Sequence, residues 1–540
     1  MPENPPPDRT IHAIDASLSI RLAVDTPDPM PEPVTDPMTE PEARSARESD
    51  PATSPVGGVR PYLLGIGGCG MSGLARVLDA RRLTVRGSDS TPSPTTESLG
   101  SADIPVVFDE RAEGLPEDAD VVISSAAIKP DHPQVLEAQR RGITVHTYAE
   151  ALGMAMGAHT GVALAGTHGK STTTAMLGCA LTDADLDPTV IVGATCTQLT
   201  DGATKPDGQK VGFRVGGATV PRGALLDRPG LLLAEACEFN RSFHHLRPTI
   251  ASIASIEADH LDIYGSLDAV VEAFTDFARL VPPADQGGRL IIAHEGAHRR
   301  EVTAGLTCAV ETIGFNPGAD WVIAHDPAQR SVSVKGPGVG EHTWAMAMPG
   351  EHNAFNSAMA FALACTCGAE PGKVAESLGA FRGLDRRLQF LGQRDGVRVF
   401  DDYGHHPTEI EATLRALRQS EDPARHDGRL ICVFQPHQHS RTRFLMDEFA
   451  TSFGHADIVI VPHIYFVRDS QAEKAKVSSA DLVDRLRQRG VRAMHLYPFE
   501  AIVEQLENVC RPGDLLVVMG AGPVWQVARG YLAGEQGGEL

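Results

Sequence analysis

The chain has 540 residues, a formal net charge of −22 and 42% hydrophobic residues. At about 150 residues per domain, that length predicts roughly three to four domains, and the apolar content is ample for several cores. The acidic balance excludes a polyanion such as DNA as the main ligand, because a phosphate backbone needs clustered cations, while a small anion can still bind a local cationic pocket.

Residues 1–58 are rich in Pro, Glu, Asp, Ser and Thr and read as a disordered acidic tail. The more apolar stretch at 11–24 reads as a transient helix within it. The first residues carry no cationic segment ahead of an apolar core, and no apolar run approaches the roughly 18 residues of a membrane span. The nine cysteines are scattered without a C-x-x-C pair, which suits reduced thiols and a cytoplasmic location. Cys365 and Cys367 lack neighbours at metal-ligand spacing.

From Pro61 onward strand and helix signals alternate. Residues 62–64 read as a strand entering GIGGCG at 65–70, followed by a helix at 72–80 and a strand at 83–85. Further strands are predicted at 120–123 and 143–145, a rhythm that implies a parallel sheet with helices on both faces. GIGGCG fits G-x-G-x-x-G, with Asp89 about 20 residues on. The loop states only that a diphosphate sits on a helix N-terminus, so a nicotinamide dinucleotide and another nucleotide, such as a UDP-type ligand, both remain open.

A second unit begins near 160. The apolar run 162–165 predicts a buried strand, GTHG at 166–169 a turn, and Lys170-Ser171 the start of a helix. A triphosphate needs this order: glycines let backbone N–H groups close on phosphate oxygens, the lysine bridges the β and γ oxygens, and the hydroxyl holds Mg²⁺. The pattern departs from the standard P-loop, which has glycine where Leu164 stands. Strands predicted at 231–233 and 249–256 bring Glu235 and His260 to the same sheet edge, where a carboxylate and an imidazole can hold Mg²⁺ or its waters. Glu238, three residues from Glu235, competes for that role. The amides of Asn353 and Asn356 open an alanine-rich helix and suit either a purine edge or a cap.

A third unit begins near 384, with strands predicted at 397–400, 430–434, 458–461 and 515–518. Arg386 and Arg387 follow a glycine-containing turn, and a guanidinium suits a γ-phosphate held during transfer. DDYGHHP at 401–407 gathers five polar groups at a strand-to-helix junction, which suits hydroxyl binding and phosphate orientation. FQPHQHSR at 434–441 is a similar junction with cationic groups fit for a carboxylate.

Six motifs in this order and spacing resemble those of the Mur ligases: GIGGCGMSG at 65–73, GTHGK at 166–170, EADH at 257–260, HN at 352–353, DDYGHHP at 401–407 and FQPH at 434–437. The resemblance covers about residues 60–530. It implies an α/β chain of three consecutive domains: an N-terminal Rossmann-like UDP-sugar domain at 59–158, a central P-loop-like ATPase sheet at 159–383, and a C-terminal Rossmann-like domain at 384–540 that closes over ATP and brings the amino acid. The members it is most similar to add L-alanine to the lactyl carboxylate of UDP-N-acetylmuramate through an acyl phosphate, in cell-wall peptidoglycan synthesis. Lys170, His260, His405 and Arg387 are then the expected catalytic groups. ATP falls to Gly166, Thr167, His168, Gly169, Lys170, Ser171, Thr172, Asn353, Arg387 and Asp402. The UDP-sugar falls to Gly65, Gly67, Gly68, Gly70, Met71, Ser88, Asp89, Ser124 and Ser125, the amino acid to Tyr403, His437 and Arg441, and Mg²⁺ to Ser171, Glu235 and His260.

The chain departs from the family pattern in four places. Gln438 replaces an arginine after FQPH, leaving Arg441 as the expected cation for the amino-acid carboxylate. Pro523 replaces an aspartate, Tyr148 an arginine, and residues 462–469 a usually acidic stretch. A ligase that attaches a whole tripeptide to the same sugar nucleotide stays open, as do a nicotinamide-dependent oxidoreductase and an inactive nucleotide sensor.

Overall fold

A computed structural model describes residues 54–199 and 211–534 of the chain. The helix expected at 11–24 lies outside the described residues. The end of the expected tail does not behave as one. Val56 is fully buried in the core beside the first sheet, and Ser54 Oγ donates to Gly58 O at 2.5 Å.

The chain forms α/β units in series on three sheets. The first sheet holds β1 (Pro61–Leu64), β2 (Arg86–Ser88), β3 (Val106–Val107), β4 (Val121–Ser124) and β5 (Thr144–Thr147) in the order β3-β2-β1-β4-β5, all parallel. The strand expected at 83–85 is displaced by three residues. The ladder pairs Tyr62 with Arg86 and Leu64 with Ser88, while Leu83 and Val85 are buried in the core ahead of it. The first helix, Cys69–Ala80, starts three residues earlier than expected, because the small residues of the glycine loop run straight into it from Gly68.

The second sheet has ten strands: β6 (Thr160–Ala165), β7 (Thr189–Cys196), β8 (Val211–Arg214), β9 (Leu231–Glu235), β10 (Ile250–Ile253), β11 (Arg289–Ala293), β12 (Ala309–Gly314), β13 (Trp321–Asp326), β14 (Ser331–Gly336) and β15 (Gly340–Ala345). Their order is β15-β14-β13-β12-β11-β10-β6-β9-β7-β8. The sheet is parallel in its middle, while β7–β8 and β13–β14–β15 are antiparallel extensions. β6 is buried along its whole length, as a strand covered on both faces should be.

The third sheet comprises β16 (Gln389–Arg394), β17 (Val397–Asp402), β18 (Leu430–Phe434), β19 (Ile458–Val461), β20 (Ala493–His495) and β21 (Leu515–Met519) in the order β16-β17-β21-β18-β19-β20. Only β16 runs antiparallel to its neighbour.

The cores explain how these units are joined. One apolar cluster runs from Leu63, Met71 and Leu74 of the first unit to Ala163, Ile191 and Phe274 of the second, so the two share a core. The third unit buries its apolar residues on the two faces of its own sheet, in clusters that take nothing from the first two. It meets the second unit largely through polar pairs, an interface of the kind that permits relative motion. Among the described residues no helix is long and apolar enough to cross a membrane.

Candidate active site

β6 delivers the chain to a turn that only glycine can make. Gly166 and Gly169 have φ of 137° and 82°, and a Cβ on Gly169 would lie 2.3 Å from Asn356 Oδ1. The helix Lys170–Asp183 then begins. Lys170 Nζ donates to Gly166 O at 2.6 Å, Thr167 O at 3.1 Å and Glu238 Oε2 at 2.9 Å. Burial opposes its charge, but Glu238 outweighs that and pushes its pKa up to about 12. The ammonium is therefore charged and pre-aimed at its own loop.

The two carboxylates left open by the sequence divide the work. Glu238 takes the lysine, whereas Glu235, at the end of β9, accepts Ser171 Oγ at 3.0 Å. His260 stands beyond β10 on the same sheet edge, with φ of 52° and Nε2 3.7 Å from Asp259 Oδ2. Burial leads the fall in its pKa, keeping it neutral, and its Nδ1 is buried with no hydrogen-bond partner. Ser171 Oγ and Glu235 Oε2 thus supply two oxygens of the kind Mg²⁺ prefers, while the His260 ring keeps to Asp259 and, through Nε2 at 3.9 Å, to Glu238 Oε1.

Beside this loop a cavity of about 620 Å³ opens between the second and third units. His168, Gly169, Thr172, Asn353, Arg387 and Asp402 line it, with Ile256, Phe315, Met348 and Leu388 as apolar walls. Six of the residues expected at ATP thus face one chamber, and Lys170 and Ser171 adjoin it on the loop. Asn353 also serves its own turn, donating Nδ2 to Pro349 O at 2.8 Å. Asp402 accepts Gly404 N at 2.6 Å and Leu388 N at 2.7 Å; burial raises its pKa to about 6 in spite of Arg387.

Two polar clasps join the second unit to the third, and one of them borders this cavity. In one, Arg441 Nε donates to Asp259 Oδ1 at 2.9 Å, both side chains being buried. In the other, His168 lies 3.4 Å from Glu257 Oε2 and 3.3 Å from Glu409 Oε1, and Thr408 Oγ1 donates to Glu257 at 2.6 Å. Burial opposes the His168 proton, yet Glu257 and Glu409 lift its pKa to about 9. Ligand atoms of His168, Glu257 and His406 all lie within 4.8 Å of one another.

The expected UDP-sugar residues collect along the C-terminal edge of the first sheet. Gly65 N donates to Ser88 O at 2.9 Å, Ser125 N to Leu64 O at 3.1 Å, and Gly67 N to Asp89 Oδ2 at 2.8 Å. Gly68 caps the helix that carries Gly70 and Met71, and Ser124 ends β4. Tyr148 packs its hydroxyl against Gly70, where a Cβ would meet it at 2.6 Å.

The expected amino-acid residues form an aromatic group at the C-terminal edge of the third sheet. The His405 ring is 5.6 Å from Tyr403 and 5.7 Å from His437, and Arg386 and Arg387 lie over the Tyr403 ring at 5.1 and 5.2 Å. Burial, first among the causes, lowers the pKa of His405 to about 4 and of His437 to about 3. Arg441, expected as a free cation, is instead committed to Asp259 and to His437 Nδ1 at 3.1 Å. Gln438 is buried with φ of 70°, its amide nitrogen unpartnered.

Sequence reasoning gave no role to Glu257, Asp259, Glu409 or Arg468. Glu409 carried a readable signal: it is the third residue of the helix Pro407–Ser420 and reaches back to the cap residue His406. Asp259 carried none, since its partner is 182 positions away.

Three consecutive segments match the Mur ligase family: residues 61–160 its catalytic domain, 164–364 its middle domain and 386–522 its glutamate ligase domain. The chain is similar to the UDP-N-acetylmuramate–L-alanine ligases of Agathobacter rectalis (35% identical, 87% of this chain and 97% of that one) and Rubrobacter xylanophilus (37%, 88% and 100%). Among solved structures it shares the fold of the UDP-N-acetylmuramate–alanine ligase of Thermotoga maritima, with TM-score 0.67 and 23% identity over 89% of this chain and 100% of that one. It shares that of a murein peptide ligase from Psychrobacter arcticus as well, with TM-score 0.65 and 23% identity over 88% and 98%.

Proposed function

The chain belongs to the Mur ligase family, and on that premise we propose that it joins L-alanine to the lactyl carboxylate of UDP-N-acetylmuramate, with ATP cleaved to ADP and phosphate. One observation carries this reading: the chain spans 97% and 100% of relatives that bear this activity as their name, at 35% and 37% identity. The geometry agrees with it. A lysine-bearing loop with a nucleotide-sized cavity beside it, and a separate glycine loop at the start of a helix on the first sheet, are the parts this reaction needs.

A carboxylate is a poor electrophile. Transfer of the γ-phosphoryl group onto a lactyl oxygen forms an acyl phosphate and releases ADP. The alanine nitrogen then attacks the acyl carbon, the C–N bond forms as the C–O bond to phosphate breaks, and the amine proton is lost. In the first step two anions meet, so cations must hold them. Lys170 and Arg387 serve this, with Lys170 exchanging Glu238 for phosphate oxygens. Ser171, Glu235 and His260 would hold Mg²⁺, which supplies charge neutralisation to the triphosphate when bound.

Thr172 and the backbone of Gly166, Thr167, His168 and Gly169 cradle phosphates; Asn353 and Asp402 face adenine and ribose in the cavity. Gly65, Gly67, Gly68, Gly70, Met71, Ser88, Asp89, Ser124 and Ser125 hold the UDP-sugar. His405 and His437 are neutral at pH 7, so they border the incoming ammonium without repelling it, and Tyr403 closes that side. Closure of the third unit excludes the water that would hydrolyse the acyl phosphate.

The test is phosphate release from ATP and UDP-N-acetylmuramate with L-alanine, L-serine, glycine or the tripeptide as acceptor. Highest kcat/KM with L-alanine supports the reading, and preference for the tripeptide assigns the recycling reaction instead. Consumption of NADH with no amino-acid stimulation would restore the oxidoreductase.

A further inference from the structure

The amino-acid side of the crevice presents a charge problem. An α-amino acid brings a carboxylate that must be held while its nitrogen attacks, and it must not itself compete as an anion for the phosphoryl group. Yet the cations around His405 and His437 are largely engaged. Arg441 is buried against Asp259, and Arg386 is bound to Asp401 at 3.2 Å and to Gly520 O at 2.6 Å. Arg387 faces the nucleotide cavity.

Arg468 is different. It is exposed, and among the described residues no carboxylate lies within ion-pair distance of it. Its field reaches His437, where it helps to depress the imidazole pKa behind the larger effects of burial, His405 and Arg441. Its guanidinium carbon lies 4.4 Å from the centre of the Phe239 ring, which belongs to the second unit and follows Glu238, the partner of Lys170. The side chain therefore crosses from the third unit to the phosphate-transfer side of the crevice.

The backbone holds it there from both directions. Before it, Tyr465 N donates to Pro436 O at 2.8 Å, and Gln438 N donates to Tyr465 O at 3.1 Å. After it, Asp469 accepts His439 N at 2.5 Å and Ser440 Oγ at 2.6 Å. Between these anchors Arg468 adopts φ of 60°, an uncommon conformation for a side-chain-bearing residue. The segment that differs from the family pattern at 462–469 is thus laced to the segment in which Gln438 has lost a cation.

We infer that Arg468 receives the α-carboxylate of the incoming amino acid and so positions its nitrogen between His437 and the acyl carbon. The guanidinium fork suits two carboxylate oxygens, and the Phe239 ring backs its face. This inference rests on the proposed ligase reaction. It assigns to an exposed residue of the third unit the role that the sequence alone gave to Arg441.

The experiment is steady-state kinetics of Arg468→Ala, Arg468→Lys and the parent enzyme, varying each of the three substrates in turn. Arg468→Ala should raise KM for L-alanine about 30-fold, the worth of one charge-assisted pair, with KM for ATP and for UDP-N-acetylmuramate within about twofold of the parent. Arg468→Lys should recover part of that loss, since it restores the charge without the fork. A parent enzyme with no alanine-dependent phosphate release sinks the ligase reading and this inference with it. A working parent with an unchanged alanine KM in Arg468→Ala overturns this inference alone, and so does an equal rise in all three KM values, which marks a structural role.

Discussion

Lys170 Nζ sits 2.9 Å from Glu238 Oε2 and 2.6 Å from Gly166 O, so the lysine of the phosphate loop is already charged and folded onto the loop it serves. The helix start fixes its origin and Glu238 fixes its tip. On the proposed reading, a triphosphate would take the place of Glu238 and the carbonyls of Gly166 and Thr167 as its partners.

Replacement of Lys170 by alanine removes that cation from the transferring phosphoryl group. Phosphate release should fall at least about 10²–10³-fold, the usual cost of deleting one preorganised electrostatic group. Affinity for UDP-N-acetylmuramate, measured by calorimetry without ATP, should stay within about twofold. Equal loss of both contradicts two separate nucleotide sites.

Gly67→Ala probes the other site. A Cβ there would lie 2.8 Å from Asp89 Oδ2 and 2.9 Å from Thr96 Cγ2, so the aspartate must move and the Gly67 N–H loses its acceptor. KM for UDP-N-acetylmuramate should rise about tenfold, the worth of roughly one hydrogen bond to a charged group, while KM for ATP is unchanged. A rise confined to ATP contradicts the placement of the sugar nucleotide.

The buried pair Asp259–Arg441 yields a stability prediction. Arg441→Ala leaves a buried carboxylate without its counter-ion and should cost about 3–5 kcal/mol in a denaturant titration. The double variant Asp259→Ala, Arg441→Ala should be less destabilised than Arg441→Ala alone, because no unpaired charge remains. A double variant as unstable as the sum of the two singles contradicts the pairing.

His168 predicts how the clasp responds to pH. Its pKa is about 9 in the folded chain against an ordinary 6.5, so its stabilisation is full below pH 6.5 and fades as pH rises through 9. Glu257 is depressed to about 2 from 4.5: burial works against this, but His168 overrides it, so its share is present above pH 4.5 and lost as pH falls through 2. The Tm of the unliganded protein should therefore drop between pH 6.5 and 9, by the equivalent of at most about 3 kcal/mol from this group. His168→Gln should flatten that slope; an identical slope in both proteins contradicts the assignment.

Much of the fold was legible because its signals are local. β18 and β19 fall on the residues their apolar runs mark, and the phosphate-loop helix starts at Lys170 as its glycines require. The antiparallel edge β13–β15 went unread: Ser331–Gly336 alternates as a strand should, but Gly340–Ala345 carries three consecutive polar residues and no period of two, and no βα rhythm flanks either segment. At the site, the residues gathered by one strand end could be read from one motif. The clasps could not, because Asp259 and Arg441, or His168 and Glu409, meet only after two units fold against each other. Arg441 shows the consequence: a cation that looked free in its own motif is neutralised by a residue from another unit.

The central claim is that ATP activates the lactyl carboxylate of the sugar nucleotide before the amine arrives, and oxygen tracing tests it most directly. UDP-N-acetylmuramate labelled with ¹⁸O in both carboxylate oxygens is turned over with ATP and L-alanine, and the released phosphate is analysed by mass. The account predicts one ¹⁸O atom in each phosphate formed. Unlabelled phosphate, or label appearing in AMP instead, would contradict it.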